Sequence, residues 1–144
     1  MRSIRLLAVM LLVAGLSACA SGPRYTEYQA KIPAQAADAG RVFFYRPSAA
    51  GAAVRPDVML NNEKVGVAIS HGFFYVDRAP GNYEVATTTE VTRKLSFVLE
   101  KGQTRYVRLS ISLGFFAGHV YGELVEPDVG RSEIQDCSYT GLEK

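Results

Sequence analysis

Apolar and polar side chains alternate most regularly over residues 104–113, TRYVRLSISL. Because successive side chains of a strand point to opposite faces, this period of two predicts a half-buried β-strand. One face carries Val107, Leu109, Ile111 and Leu113, and the other carries Tyr106, Arg108, Ser110 and Ser112. We expect Val107, Leu109 and Ile111 to point into a core and Arg108 to face solvent. On this basis Leu109→Asp should unfold the domain, whereas Arg108→Asp should be tolerated.

Similar short runs of β-branched and aromatic residues recur from residue 41 to residue 125. Turn signals such as Asn61-Asn62 and Pro80-Gly81 separate them, and Asn and Gly tolerate the positive φ of tight turns. This spacing predicts an all-β fold, a single antiparallel β-sandwich of about seven to eight strands over residues 41–137. A short helical turn with Glu133 facing solvent is expected within residues 127–137, and residues 138–144 are expected to form a C-terminal tail.

The N-terminus has the composition of a secretory signal peptide. Arg2 and Arg5 precede an uninterrupted apolar or small run over residues 6–16, which is shorter than the ~20 residues that span a bilayer. We therefore predict a signal peptide at residues 1–18. Its removal leaves 14 basic and 14 acidic residues, so the mature chain is near neutral, and no basic block favours nucleic acid as a partner.

The sequence LSAC over residues 16–19 resembles a lipobox, the pattern recognised in bacterial lipoprotein processing. The resemblance implies cleavage before Cys19 and lipid attachment to its sulfur; the alternative is an ordinary cleavage after Ala18 that leaves a free thiol. Two or three acyl chains anchor a protein durably, since each buried methylene contributes about 0.8 kcal/mol.

Ala20 follows the cysteine. By resemblance to enterobacterial sorting, in which aspartate at this position retains a lipoprotein at the inner membrane, Ala20 implies the outer membrane, facing the periplasm. A source without an outer membrane implies the cytoplasmic membrane instead. Residues 19–40 would then be the lipidated cysteine and a flexible linker, because they are alanine-rich, polar and without a sustained period.

Residue types that carry catalysis or bind metal are scattered. His71 and His119 have no H-x-H, H-E-x-x-H or C-x-x-C neighbour, and each is expected to be a solvated loop residue. Ser70 lacks a G-x-S-x-G elbow, and no glycine-rich loop precedes a helix to hold phosphate. The sequence therefore predicts no catalytic residue, no metal and no cofactor, and a protein that is not an enzyme.

Two pairs of phenylalanines stand beside glycines, Phe73-Phe74 and Phe115-Phe116. Neighbouring side chains of a strand point to opposite faces, so one ring of each pair is a candidate for an exposed apolar interaction surface. The alternative is that the second sheet, or the linker, covers them. If Cys19 carries lipid, Cys137 has no intramolecular partner; we interpret it as a small hydrophobic residue, with intermolecular pairing as the alternative.

Four segments are similar to a family of small bacterial lipoproteins and secreted proteins of unknown function. They are GRVFFYRP at 40–47, VMLNNEKVG at 58–66, PGNYEV at 80–85 and GQTRYV at 102–107. Members of that family open with a G-x-V-Y-x-Y-R-P strand and contain a P-G-x-Y-x-V turn. The resemblance implies a fold and carries over no active site.

These observations predict a lipid-anchored bacterial envelope protein. We expect a non-catalytic interaction or structural module on the periplasmic side of the outer membrane, with an envelope protein as its partner. A β-sandwich that binds an envelope glycan or peptide through an aromatic loop is the alternative, and an enzyme is the least favoured class.

Overall fold

The strand-forming runs and turn signals produce nine strands and two short helices in the part of the chain that the structure describes. The computed structural model describes residues 19–114 and 118–141, without the side chains of Val91 and Thr92. The strands are β1 (Gly40–Arg46), β2 (Asp57–Leu60), β3 (Glu63–Val67), β4 (Gly72–Arg78), β5 (Gly81–Thr87), β6 (Glu90–Leu99), β7 (Thr104–Leu113), β8 (Gly118–Val125) and β9 (Ser138–Tyr139). The helices are α1 (Tyr25–Tyr28) and α2 (Pro127–Glu133), each followed by a 3₁₀ turn (Gln29–Lys31 and Ile134–Asp136). None of the helices in these described ranges has the length and apolarity of a bilayer span.

The strands form two sheets, which confirms the predicted all-β sandwich. The first sheet has the order β8-β7-β1-β4-β9 and the second has the order β3-β2-β5-β6. The second sheet is antiparallel throughout. The first is mixed, because β1 runs parallel to β7 and β4 runs parallel to β9. This corrects the antiparallel arrangement expected for both sheets, since partners so distant in sequence leave no local signal of their direction.

The main core lies between the two sheets. Its buried residues are Val42, Phe44, Val58, Leu60, Val65, Ala68, Phe74, Val85, Phe97, Leu99, Val107, Leu109 and Val120. The alternation predicted for β7 is confirmed at Val107 and Leu109, which are fully buried, and at Ile111, which is half-buried. Leu113 continues the same row but is 78 % exposed, because β7 extends beyond the end of the core.

A second apolar cluster covers the outer face of the first sheet. It contains Tyr25, Phe43, Tyr45, Phe73, Tyr106, Ile134 and Cys137. Because α1 and α2 supply part of this cover, all seven residues of β1 are buried.

The segment predicted as a flexible linker belongs to this cover. Tyr25 is buried, and its backbone N–H donates to the carbonyl oxygen of Cys137 at 2.8 Å. The N–H of Tyr139 donates to Pro23 at 2.8 Å. The linker prediction is therefore wrong for residues 20–31, because this segment pairs with residues as distant in sequence as Cys137 and Tyr139. The predicted C-terminal tail also begins with a strand, since Ser138–Tyr139 pairs with β4.

Candidate functional site

Cys19 lies at one end of the sandwich and is exposed. It forms a parallel bridge with Ser70, and the next residue, Ala20, donates its N–H to the Ser70 carbonyl oxygen at 3.0 Å. Ser70 and His71 form the turn that leads into β4, and His71 adopts a positive φ of 53° there. The predicted lipid-attachment residue therefore lies against the domain itself, without an intervening free segment.

The strand registers show which other segments share this end. Arg46, the last residue of β1, pairs with Gly72, the first residue of β4. Since β7 runs parallel to β1 and pairs with β8 as far as Leu113 and Gly118, the β7–β8 hairpin points the same way. We call this end, formed by Cys19, the 70–71 turn, the loop of residues 47–56, the last residues of β7 and the first residues of β8, the Cys19 end.

Of the four phenylalanines proposed as an interaction surface, the structure describes two. Phe73 is 0 % exposed and Phe74 is 3 % exposed, so the expectation that one of them faces solvent is wrong. Phe74 packs between the sheets at 5.0 Å from the Phe44 ring, and Phe73 packs under α1 at 5.3 Å from the Tyr25 ring. The linker and the second sheet cover the two rings, as the alternative interpretation states. Phe115 and Phe116 lie outside the described residues.

The loop of residues 47–56 is held to the sheet by a buried arginine. Arg46 is 0 % exposed, and its guanidinium donates to the carbonyl oxygens of Val54, Ala68, Ala50 and Gly51 at 2.7 to 3.0 Å. Burial lowers its pKa from the ordinary value. The arginine of the Y-R-P motif therefore has a structural role, because it satisfies loop carbonyls that would otherwise be buried without donors.

A polar cluster that the sequence did not reveal lies on the outer face of the first sheet, beside α2. Arg108 donates to Glu133 Oε1 at 2.9 Å and to Glu123 Oε2 at 3.3 Å. Tyr45 donates to the other oxygen of Glu133 at 2.6 Å, and Ser110 donates to Glu123 at 2.5 Å. We call these five residues the Arg108 cluster. Glu133 is thus half-buried, which corrects the expectation that it faces solvent. The guanidinium of Arg108 lies between two carboxylates, those of Glu123 and Glu133.

The electrostatics of the Arg108 cluster favour fixed charges over proton transfer. The bond from Ser110, and then the guanidinium of Arg108, lower the pKa of Glu123 below its ordinary value. Burial, and then the bond to Glu133, raise the pKa of Tyr45. A carboxylate held ionised by two donors is a weak base, so Glu123 is poorly suited to activate the Ser110 hydroxyl. The ion pairs of Arg108 on β7 join this strand to Glu123 of β8 and to Glu133 of α2.

The contacts of the two histidines and the burial of Cys137 are consistent with roles in the fold. His119 is half-buried, and its Nδ1 lies 2.6 Å from the carbonyl oxygen of Thr89, which only accepts hydrogen bonds. His71 donates no side-chain bond in the described chain, but its carbonyl accepts the N–H of Ser138. Cys137 is fully buried, and burial raises its pKa to about 12. Within residues 19–114 and 118–141, no group of three His, Cys, Asp or Glu side chains is placed to hold a metal ion.

A surface groove with a volume of about 390 Å³ lies on the second sheet. Its polar groups are already engaged with one another. Asn61 donates to the Asn82 carbonyl at 3.2 Å and accepts the N–H of Glu84 at 2.8 Å, and Glu84 pairs with Lys94 at 2.8 Å. Because these polar groups already have partners within the sheet, they give no indication of a glycan or peptide site.

Comparison with known proteins places the sandwich in a family. Residues 36–121 match the model of a family described as "Protein of unknown function (DUF2846)". The chain belongs to the DUF2846 family. The match runs from just before β1 into β8, so it includes the four segments on which the sequence resemblance rests. That resemblance, to a family of unknown function, is confirmed.

A relative of this DUF2846 protein is an uncharacterized protein of Haemophilus influenzae. It is 26 % identical over 124 residues, which cover 83 % of this chain and 74 % of the relative. No solved structure matches the chain. The DUF2846 segment leaves out α1, α2 and β9, the elements that cover the outer face of the first sheet.

Proposed function

We propose that this DUF2846 protein is a lipid-anchored envelope protein, attached through Cys19, whose sandwich is a non-catalytic interaction or structural module. Its place would be the periplasmic side of the outer membrane, or the cytoplasmic membrane in a source that lacks an outer one. The observation that carries the proposal is the LSAC sequence at residues 16–19, after a short apolar run and two arginines. The exposure of Cys19 supports it, because the sulfur must be accessible to carry lipid.

The non-catalytic part of the proposal rests on how the polar side chains are used. The carboxylates of Glu123 and Glu133 accept bonds from Arg108 and from two hydroxyls, and the His119 ring is bound to a backbone carbonyl. Groups engaged in this way stabilise the fold. The alternative of ligand binding through an aromatic loop gains no support from Phe73 and Phe74, which are buried, so we propose no second function.

The test of the anchor uses the two cysteines of the chain. Cells that express the full chain are fed an alkyne-labelled fatty acid, and Cys19→Ala is compared with Cys137→Ala. We expect label and membrane flotation for the parent and for Cys137→Ala, and neither for Cys19→Ala. Intact-mass measurement of a mature N-terminal Cys19 without lipid would refute the proposal.

The membrane of residence is tested at the following residue. Ala20→Asp keeps the backbone N–H that binds Ser70 and changes the sorting signal by resemblance to enterobacterial lipoproteins. In a Gram-negative host we expect the parent in the outer-membrane fraction of a density gradient and Ala20→Asp in the inner-membrane fraction. An Ala20→Ser variant is the matched control and should fractionate with the parent. If parent and Ala20→Asp both reside in the inner membrane, the outer-membrane assignment is wrong while lipid anchoring stands.

A further inference from the structure

Residues 19–39 run along the outer face of the first sheet from one end to the other, and we call this segment the strap. At the Cys19 end, Cys19 forms a parallel bridge with Ser70. Further along, the side chain of Gln35 donates to the carbonyl oxygen of Gln103 at 3.3 Å. Because β4 is antiparallel and β7 is parallel to β1, the turns that precede these two strands lie at opposite ends of the sheet. The strap is therefore attached at both ends of the sandwich.

The strap is also paired between its two ends. Arg24 forms an antiparallel bridge with Ser138 of β9, with a backbone hydrogen bond of 2.8 Å on each side of it. Gly22 permits this close approach, because a β-carbon there would overlap the carbonyl oxygen of Tyr139. Tyr25 is buried in the apolar cluster that covers the first sheet. Backbone pairing and a buried ring thus hold the strap to the domain.

The docked strap takes the place of a free linker between the attachment residue and the sandwich. A flexible linker of about 20 residues would give a root-mean-square separation of roughly 25 Å between anchor and domain. With the strap docked, the domain begins at Cys19 itself. The sandwich then extends from the anchor by about the length of β7, whose ten residues correspond to about 33 Å. Lipid attaches to the exposed side chain of Cys19, so the backbone pairing of this residue can persist in the anchored protein.

We propose that the lipid-anchored protein keeps its strap docked, so that anchor and sandwich move as one body and the domain stays at the surface of the membrane. This inference rests on the proposed function, because it requires lipid on Cys19. It limits the place of an interaction partner, which must approach within about 33 Å of the bilayer. A docked strap therefore restricts the domain to components of the same membrane or close to it.

The pairing of the strap with β9 supplies variants that lock it or open it. A bridge flanked by hydrogen bonds of the neighbouring residues is a non-hydrogen-bonded pair, whose Cα atoms are about 4.5 Å apart, within the range of a disulfide. Arg24→Cys with Ser138→Cys, in a Cys137→Ala background, therefore locks the strap when oxidised. Gly22→Val opens it, because the added side chain overlaps a backbone carbonyl. Ser21→Val, at the neighbouring exposed position, is the matched control.

Neutron reflectometry measures how far each protein extends from a bilayer. The lipidated full chain and its variants are bound to supported bilayers of phosphatidylethanolamine and phosphatidylglycerol. We expect the same extension for the parent, the Ser21→Val control and the oxidised lock. The layer formed by Gly22→Val should extend roughly 25 Å further, and circular dichroism checks that this variant keeps its sheets.

Trypsin gives a second measurement on vesicles. Cleavage after Arg24 or Lys31 separates the sandwich from its lipid, and a protease requires the strap to open locally before it can cut. We expect the domain of Gly22→Val to be released about tenfold faster than the domain of the parent or of Ser21→Val.

The outcomes separate this inference from the proposed function. If the parent layer extends further than the oxidised lock, the strap is undocked on the membrane and the inference is wrong, while lipid anchoring stands. If a folded Gly22→Val matches the parent in both extension and release, the pairing of the strap does not hold the domain, and the inference is again wrong. A parent protein that does not bind the bilayer refutes the anchor, and the inference fails with it.

Discussion

The hydroxyl of Tyr45 donates to Glu133 Oε2 at 2.6 Å and so joins the central strand of the first sheet to α2. Tyr45 is fully buried, and its raised pKa keeps the hydroxyl protonated. The carboxylate of Glu133 also accepts from Arg108. Because α2 has seven residues, too few for stability on its own, contacts of this kind hold it on the sheet.

Tyr45→Phe should destabilise the domain by about 1.5 to 3 kcal/mol, the usual contribution of a hydrogen bond to a charged group. Urea denaturation followed by circular dichroism measures the change. Tyr83→Phe is the matched control, since its hydroxyl donates to the carbonyl of Ala79 at an exposed site, and its loss should cost about 0.5 to 1.5 kcal/mol. If the two variants lose the same free energy of unfolding, the bond from Tyr45 to Glu133 contributes no more than an exposed hydrogen bond.

Arg108→Asp should be destabilising, which reverses the expectation from the alternation of β7. The substitution removes the cation between Glu123 and Glu133 and adds a third carboxylate beside them. We expect a loss of about 2 kcal/mol or more, since the group is partly buried and two charges lose their partner. Arg105→Asp on the same strand is the control, because Arg105 donates to the carbonyl of Val98 at an exposed site. A tolerated Arg108→Asp would show that the cluster contributes little.

Stability should fall in acid through Glu123. Its folded-state pKa is lowered, first by Ser110 and then by Arg108, so its contribution is present above the unfolded value of about 4.3 and is lost as the pH falls through the folded value. Ser110→Ala removes the first cause of the lowered pKa, so the folded-state and unfolded-state pKa values of Glu123 move closer together. The stability difference between parent and Ser110→Ala, from urea titrations between pH 3 and 7, should therefore be largest at neutral pH and shrink in acid. Ser112→Ala, at an exposed position on the same face, should match the parent throughout.

Cys137 should not react with maleimide at pH 8 in the folded protein. It is 0 % exposed, and burial raises its pKa to about 12, so both access and thiolate are lacking. In Cys19→Ala, where Cys137 is the remaining cysteine, the labelling rate should rise with urea in step with unfolding. Rapid labelling without denaturant, or a disulfide-linked dimer on a non-reducing gel, would contradict this and favour intermolecular pairing.

The sandwich can be predicted from the sequence because strands and tight turns are specified by residues that are neighbours in the chain. The period of two in β7 and the Asn61-Asn62 turn, whose φ angles are 49° and 65°, depend on neighbouring residues and are both confirmed. The covering of the first sheet depends on distant pairs. Tyr28 stacks on Tyr139 at 4.0 Å between ring centroids, and no pattern within residues 20–31 indicates that partner. The linker prediction failed for this reason, and so did the hypothesis that one ring of the Phe73-Phe74 pair is exposed.

Cys19 and the Arg108 cluster differ in how far the sequence indicates them. Cys19 can be proposed as the attachment residue from the sequence, because the processing enzymes of bacterial lipoproteins recognise a contiguous segment. The position of Cys19 against Ser70 could not be predicted, since it depends on the tertiary placement of the 70–71 turn. Arg108 appeared in sequence as one polar residue of an alternating strand, and its bond to Glu133 requires α2 to fold back onto β7. The positions of the charged residues along the chain do not indicate that Arg108 and Glu133 pair in the folded protein.

The two sheets approach each other closely at Gly66 of β3. A β-carbon at this position of β3 would lie 2.5 Å from Phe74 Cζ, with two further ring carbons at 2.6 and 2.7 Å. The Phe74 ring is 3 % exposed and stacked on Phe44, so it has little room to move. Gly66→Ala should therefore destabilise the domain by about 1 to 3 kcal/mol through overpacking, as measured by urea denaturation.

Gly81→Ala is the control for Gly66→Ala. At Gly81 the nearest atom to an added β-carbon is Tyr83 Cε2 at 3.9 Å, an ordinary contact, so this change should be nearly neutral. A double variant identifies the cause: Phe74→Leu shortens the opposing side chain, and Gly66→Ala should cost less in that background than in the parent. If the cost is the same in both backgrounds, the glycine is required for the backbone of β3 rather than for the Phe74 ring. In that case the glycine of the VMLNNEKVG segment would not set the distance between the sheets.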